Sequence, residues 1–192
     1  MTLPVTIATV RGYHFLNAGM RTGQGPAWRR PWKEGETRSL RRGGAVQPCI
    51  RGYHASPTVY DALLYAPGPV LCLVELSGEI TPHGSPMDKW AARSRTLLAA
   101  ANVERQLREY ACDCAERVVH LWTPPPYITW KPMDTIEVAR RFARGEATEQ
   151  ELAVAWDAAA TAAWSTPISA SWSVAGAAAY AAGDVARDAW DE

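Results

Sequence analysis

Tyr53 and His54 stand where a strand-like segment, Gly52-Tyr53-His54-Ala55, runs into a helix start at Ser56-Pro57. An imidazole exchanges protons near neutral pH, and a phenol offers a flat ring with a hydrogen-bonding tip. A strand–helix junction would present both to a ligand. A short helix follows and ends in Tyr65, then Pro67-Gly68-Pro69 forces a turn into the apolar run of residues 70–76. The plainer alternative stays open. Tyr53 and Tyr65 also read as core aromatics with a bonded tip, and His54 as a group satisfying backbone at the helix start.

Cationic side chains gather upstream of this junction. Residues 1–55 hold nine Lys and Arg against two acids, and residues 56–192 hold eleven against eighteen, so a formal net charge of zero conceals halves of +7 and −7. Arg29 and Arg30 sit between Trp28 and Trp32, followed by Lys33, Arg38, Arg41 and Arg42. Such a segment suits a phosphate-bearing ligand, nucleic acid or an acidic partner surface, and equally a solvated loop paired with its own acidic half. No nucleophile elbow, phosphate-binding glycine loop or metalloprotease helix is present. Cys49, Cys72, Cys112 and Cys114 lack the usual zinc spacing and read as reduced thiols, so no metal is expected.

The elements that must position these groups follow from pattern. Residues 5–16, 46–54 and 70–76 read as strands, the last a continuous apolar run expected of a strand covered on both faces. Residues 58–65 read as a helix capped by Ser56, and 19–48 as a Gly/Pro-broken basic loop. Residues 81–88 read as loop, and 89–120 as one long helix or two abutting ones, with a strand at 118–122 as the variant. An extended segment is expected at 127–130. Further on, Asp134-x-x-Glu137 and Thr148-x-x-Glu151 have capping-box spacing, and Gly145 suits a helix end. Trp156, Trp164, Trp172 and Tyr180 then recur every eight residues in an alanine-rich tail. That spacing is not a coiled-coil heptad; short helices over 149–190 that dock on the main domain or on another copy fit it better.

The expected fold class is α+β: a small mixed sheet packed by a long helix in a domain of residues 1–130, with an Ala/Trp-rich helical segment over 131–192. No apolar run is long enough to cross a membrane and the N-terminus lacks a signal-peptide pattern, which points to the cytoplasm.

Two resemblances add to this reading. The motifs C-x-x-G-Y-H-A-S, D-A-L-x-Y-A-P-G and V-E-L-x-G over residues 49–78 resemble a family of uncharacterised phage and bacterial proteins, with similarity over about residues 10–120 and in the tail. That likeness implies a phage or prophage setting: a factor binding a host protein or nucleoprotein complex, nucleic acid through the basic loop, or a homo-oligomer joined by its C-terminal helices. More distantly, Gly52-Tyr53-His54-Ala55-Ser56, Tyr65, the strand of residues 71–76 and Gly78 are similar to the central block of ADP-ribosyltransferases of the His-Tyr-Glu class. This second resemblance implies NAD as the ligand. Tyr53 and Tyr65 would hold the nicotinamide, His14 of Gly12-Tyr13-His14-Phe15 would meet the adenosine ribose, His54 and Ser56 would line the site, and Arg29 and Arg30 would face the pyrophosphate. The late glutamate of that class has no counterpart here, since Glu75 and Glu79 come too early and Glu137 sits in a capping box.

Overall fold

A computed structural model describes residues 9–22, 30–41 and 43–165. Arg29, the N-terminal part of the first expected strand, and the tail beyond residue 165, with Trp172 and Tyr180, lie outside the described residues. The chain divides into two compact units, Met1–Val103 and Glu104–Glu192, whereas the sequence pattern suggested a boundary at residue 130.

The first unit is an open antiparallel sheet with one short helix. Its elements are β1 (Thr9–Leu16), β2 (Thr37–Ser39), β3 (Tyr53–Ala55), α1 (Val59–Leu63), β4 (Val70–Gly84) and β5 (Met87–Asn102). The strand order is β1-β4-β5-β2, with β3 also pairing with β5. Every described pair is antiparallel, so the sheet is not the mixed one expected. Along β4, Val70, Cys72, Val74 and Leu76 are buried while Leu73 is 36% exposed. The apolar run is therefore one-sided, and its inward residues form a core with Leu16, Trp32, Ala55, Ala92 and Leu97.

The largest departure is β5. Residues 89–102, expected to open a long helix, form the strand that pairs with β2, β3 and β4. Alanine-rich composition favours helix locally, yet three pairing partners override that preference. Cross-strand contacts register the pairing: Thr37 Oγ1 lies 2.8 Å from Thr96 Oγ1, and Ser39 Oγ 2.8 Å from Ser94 Oγ. The expected loop at 81–88 is mostly strand, because β4 continues to Gly84 and β5 begins at Met87. The register slips between Ser77 and Ile80, where Gly78 takes a φ of 82°, a bulge that glycine accommodates without Cβ strain.

Two smaller expectations change for local reasons. Only Tyr53–Ala55 of the second expected strand joins the sheet; upstream, Gln47 and Arg51 bond each other through their backbones at 2.8 and 2.7 Å. The cap of α1 is Thr58, whose hydroxyl accepts from the Asp61 N–H at 3.1 Å, rather than Ser56. Ser56 is instead tied to β1.

The second unit holds α2 (Glu104–Val118), α3 (Pro132–Ala143) and α4 (Glu149–Trp164) around Cys112, Ala115, Ile136, Ala139, Leu152 and Ala159. The Thr148–Glu151 capping box forms as its spacing predicts. Asp134 does not cap, because Pro132 already occupies the first turn and Lys131 is the N-cap. Gly145, at φ 76°, follows the last turn of α3 and donates its N–H to the Phe142 carbonyl at 2.9 Å. Residues 119–121 are a 3-10 turn and 127–130 pair with no strand, which corrects both expectations of extended structure there. Among the described residues no helix is long and apolar enough to cross a membrane.

Candidate functional site

The first unit contains a cleft of about 900 Å³. Residues from β1, β2, β3, β5 and the connections after β1, α1 and β2 line it. That volume is in the range of small-molecule and cofactor sites. Its placement begins with backbone. The Tyr13 N–H donates to the Ser56 carbonyl and the Ser56 N–H to the Tyr13 carbonyl, both at 2.8 Å, which clips β1 onto the end of β3. Gly12 permits this approach, since a Cβ there would sit 2.6 Å from the Ser56 carbonyl oxygen. His14 and His54 are thereby brought to one wall.

Trp32, 4% exposed, is the anchor of the opposite chemistry. Its ring meets Tyr53 edge-on at 5.9 Å between centroids, and the guanidinium groups of Arg38 and Arg95 lie 4.2 and 4.5 Å from its centroid. Arg95 also lies 5.5 Å from the Tyr53 ring centroid. Facing positions on β2 and β5 put Arg38 directly opposite Arg95. The two arginines differ in what holds them. Arg38 is saturated: Nε and Nη2 bond the Glu36 carboxylate at 2.9 Å each, and Nη1 and Nη2 bond the Arg30 and Pro31 carbonyls. That bonding holds the Glu36 carboxyl below its usual range. Arg95 has no carboxylate partner among the described residues; Nη1 donates to the His54 carbonyl at 3.0 Å and Nε has no partner. Burial lowers its pKa to about 10.

The histidines are held neutral. Burial, then the Arg95 and His54 charges, lower the His14 pKa well below the ordinary imidazole value, and Nε2 is hidden without a partner although the ring is only partly covered. His54 is lowered by burial first and then by Lys89, Arg95 and His83. Its Nε2 accepts the Cys49 N–H at 3.2 Å, so in the neutral ring the proton sits on Nδ1.

At the other end of the cleft, the Lys89 ammonium lies 3.7 Å from the Tyr65 ring centroid. The Tyr65 hydroxyl donates to Asp88 Oδ2 at 2.5 Å, which raises the tyrosine pKa and lowers that of Asp88. Lys89 is 7% exposed; burial opposes its charge, but Cys49 and Tyr65 outweigh that and the net shift is upward.

Thus His14, Tyr53, Tyr65, His54, Ser56 and Arg30 all line one cleft. Ser56 is 3% exposed and serves the cleft chiefly through its backbone clip to β1. Arg95 and Lys89 are lining residues that the composition of the sequence does not reveal, because the alanine-rich character of their segment favours helix. The alternation Lys89, Ala91, then Arg95, Leu97 was the signal for a strand with two inward cations. No aspartate or glutamate is among the described lining residues. Nor do the described residues hold a group of three His, Cys, Asp or Glu that could bind a metal.

The donor set suits an anionic ligand with a flat aromatic part. The guanidinium and ammonium groups complement phosphate, and the tyrosine rings suit a heterocycle. A shallower, mainly apolar groove of about 390 Å³ lies in the helical unit between α3 and α4, lined by Trp130, Val138, Val154 and Ala155 among others. Compared with known proteins, the chain matches no protein-family model, no curated protein and no solved structure.

Proposed function

We propose that the first unit is an ADP-ribosyltransferase-like module whose cleft binds NAD. The observation that carries this reading is the convergence of His14, Tyr53 and Tyr65, the residues that the resemblance assigns to NAD, on one cleft rich in arginine. Tyr53, braced against Trp32, and the more exposed Tyr65 offer ring faces for a heterocycle. The cations balance the pyrophosphate charge. Bound NAD would supply an ADP-ribosyl group for transfer. Moving that group calls for a carboxylate to support the developing positive charge on the ribose, and none lines the described cleft. The proposal is therefore of NAD binding first, with transfer to a host macromolecule as its enzymatic form.

The missing carboxylate favours a second reading: a non-enzymatic factor that uses the same cationic surface to engage a host nucleoprotein complex. Calorimetry with NAD, together with incubation of radiolabelled NAD in host lysate, separates the two. NAD binding that is lost in Tyr53→Ala supports the first reading, and label on a macromolecule supports its enzymatic form. No heat with NAD, alongside tight binding of a short oligonucleotide, supports the second and overturns the first.

A further inference from the structure

Three nitrogens of the cleft residues are hidden from solvent with no hydrogen-bond partner: His14 Nε2, Arg21 Nε and Arg95 Nε. Buried polar groups are nearly always paired, because an unpaired one has given up its hydrogen bonds to water without replacement. Three further atoms of this kind, Arg51 Nε, Asp88 Oδ1 and Arg108 Nη1, lie outside the cleft lining, so it is not their number but the setting of one of them, on Arg95, that points to a ligand. The elements carrying the three cleft nitrogens are also linked. The Trp32 N–H donates to the Met20 carbonyl at 2.8 Å, which ties the turn carrying Arg21 to the tryptophan on which Arg95 rests. The positive charge of Arg95 in turn acts on His14.

Arg95 is the centre of this set. It is 2% exposed, faces the cleft, and has one hydrogen bond among the described residues, to a neutral carbonyl. A guanidinium in that position keeps charge and donors in reserve. Arg38, close by on the same ring, is spent on Glu36 and two carbonyls. The residue for a ligand is therefore Arg95, with Arg38 helping to hold Trp32 in place.

We propose that Arg95, Arg21 and His14 form a buried phosphate subsite in the cleft, so that the ligand is anchored by a phosphoryl group at this wall. The two guanidinium groups supply charge-assisted donors to the phosphoryl oxygens, and His14 adds a hydrogen bond through Nε2 when that nitrogen carries the proton. A phosphoryl group presents several acceptor oxygens and more negative charge than a carboxylate, which matches two cations approaching from separate elements. This inference rests on the NAD reading only for the identity of the ligand; its own content is where the phosphate sits.

The test uses the full chain with inorganic phosphate, pyrophosphate and NAD, followed by calorimetry and by phosphorus NMR linewidth. Wild-type protein is expected to bind pyrophosphate, and Arg95→Met to weaken it at least about tenfold, the effect of losing a charged hydrogen-bonded contact. Arg41→Ala, at the exposed rim, is expected to weaken it less than about threefold. Should Arg95→Met fail to fold by circular dichroism, Arg95→Lys keeps the charge without the planar fork and is also expected to lose affinity. Pyrophosphate binding unchanged in the folded Arg95 variant, or no binding of phosphate or pyrophosphate by wild type, overturns the subsite. If pyrophosphate binds through Arg95 and NAD does not, the subsite stands and the NAD reading falls. If NAD binds equally well without Arg95, the reverse holds.

Discussion

Replacing Arg95 by methionine should change the stability of the first unit by no more than about 1 kcal/mol. The guanidinium is 2% exposed, unpaired with any described carboxylate, and its pKa is lowered to about 10, chiefly through burial. At about 1.4 kcal/mol per pKa unit, that fall corresponds to ~3 kcal/mol of opposed charge burial. Against it stand stacking on Trp32, worth about 2 kcal/mol at a desolvated site, the longer contact with Tyr53, worth about 0.5–1 kcal/mol, and the hydrogen bond to the His54 carbonyl, worth about 1 kcal/mol. The opposing contributions nearly cancel, leaving a balance within about 1 kcal/mol of zero for methionine, which has a similar reach and no charge to desolvate. Exchanging buried charge for apolar volume is often neutral or stabilising in other proteins. Urea unfolding followed by circular dichroism reads the difference directly, and a melting temperature within about 8 °C of wild type is the thermal equivalent for a unit of this size. Destabilisation by more than about 2 kcal/mol would refute the reasoning, because Arg95 would then be a structural keystone and not a group held in reserve for a ligand.

Other expectations follow from the same geometry. Gly12→Ala places a Cβ 2.6 Å from the Ser56 carbonyl oxygen and should destabilise the first unit by about 1–3 kcal/mol, measured by urea unfolding, while weakening any ligand that touches both His14 and His54. Stability should fall as pH drops below about 6.5, because the unfolded chain then takes up protons that His14 and His54 resist in the folded state; above that pH both states are neutral at these sites and the contribution is complete. The slope is at most about 1.4 kcal/mol per pH unit for each group, and melting curves of His14→Gln should show a shallower dependence. In a cleft with no carboxylate among its described lining residues, ADP-ribose should bind more tightly than NAD, whose nicotinamide ring is itself positive, and both affinities should fall with salt in a calorimetric series.

How much of the site could be read in advance depended on how local each signal was. Tyr53, His54 and Ser56 are legible because a strand running into a Ser-Pro segment just ahead of a helix is a signal carried by a few adjacent residues. The backbone clip between Tyr13 and Ser56 pairs residues far apart in the chain, and nothing near either one forecasts it. Arg95 was hidden by an alanine-rich neighbourhood with helical composition, and its strand is decided by pairing with β2, β3 and β4. The cap of α1 slid from Ser56 to Thr58 for a related reason: the Ser56 backbone was already engaged with β1.

Local chemistry in the chain was enough to determine the Thr148–Glu151 capping box and the presence of a strand over residues 70–76, though not its one-sided burial. Each depends on side chains within a turn or two of one another. Only the tertiary structure decided that residues 87–102 are a strand, that Arg38 is paired while Arg95 is not, and that His14 reaches the wall of the same cleft as His54. Those outcomes are set by which distant segments share a hydrogen-bond ladder and which buried charges are left a partner, and such competition between remote groups leaves no trace in the neighbouring residues.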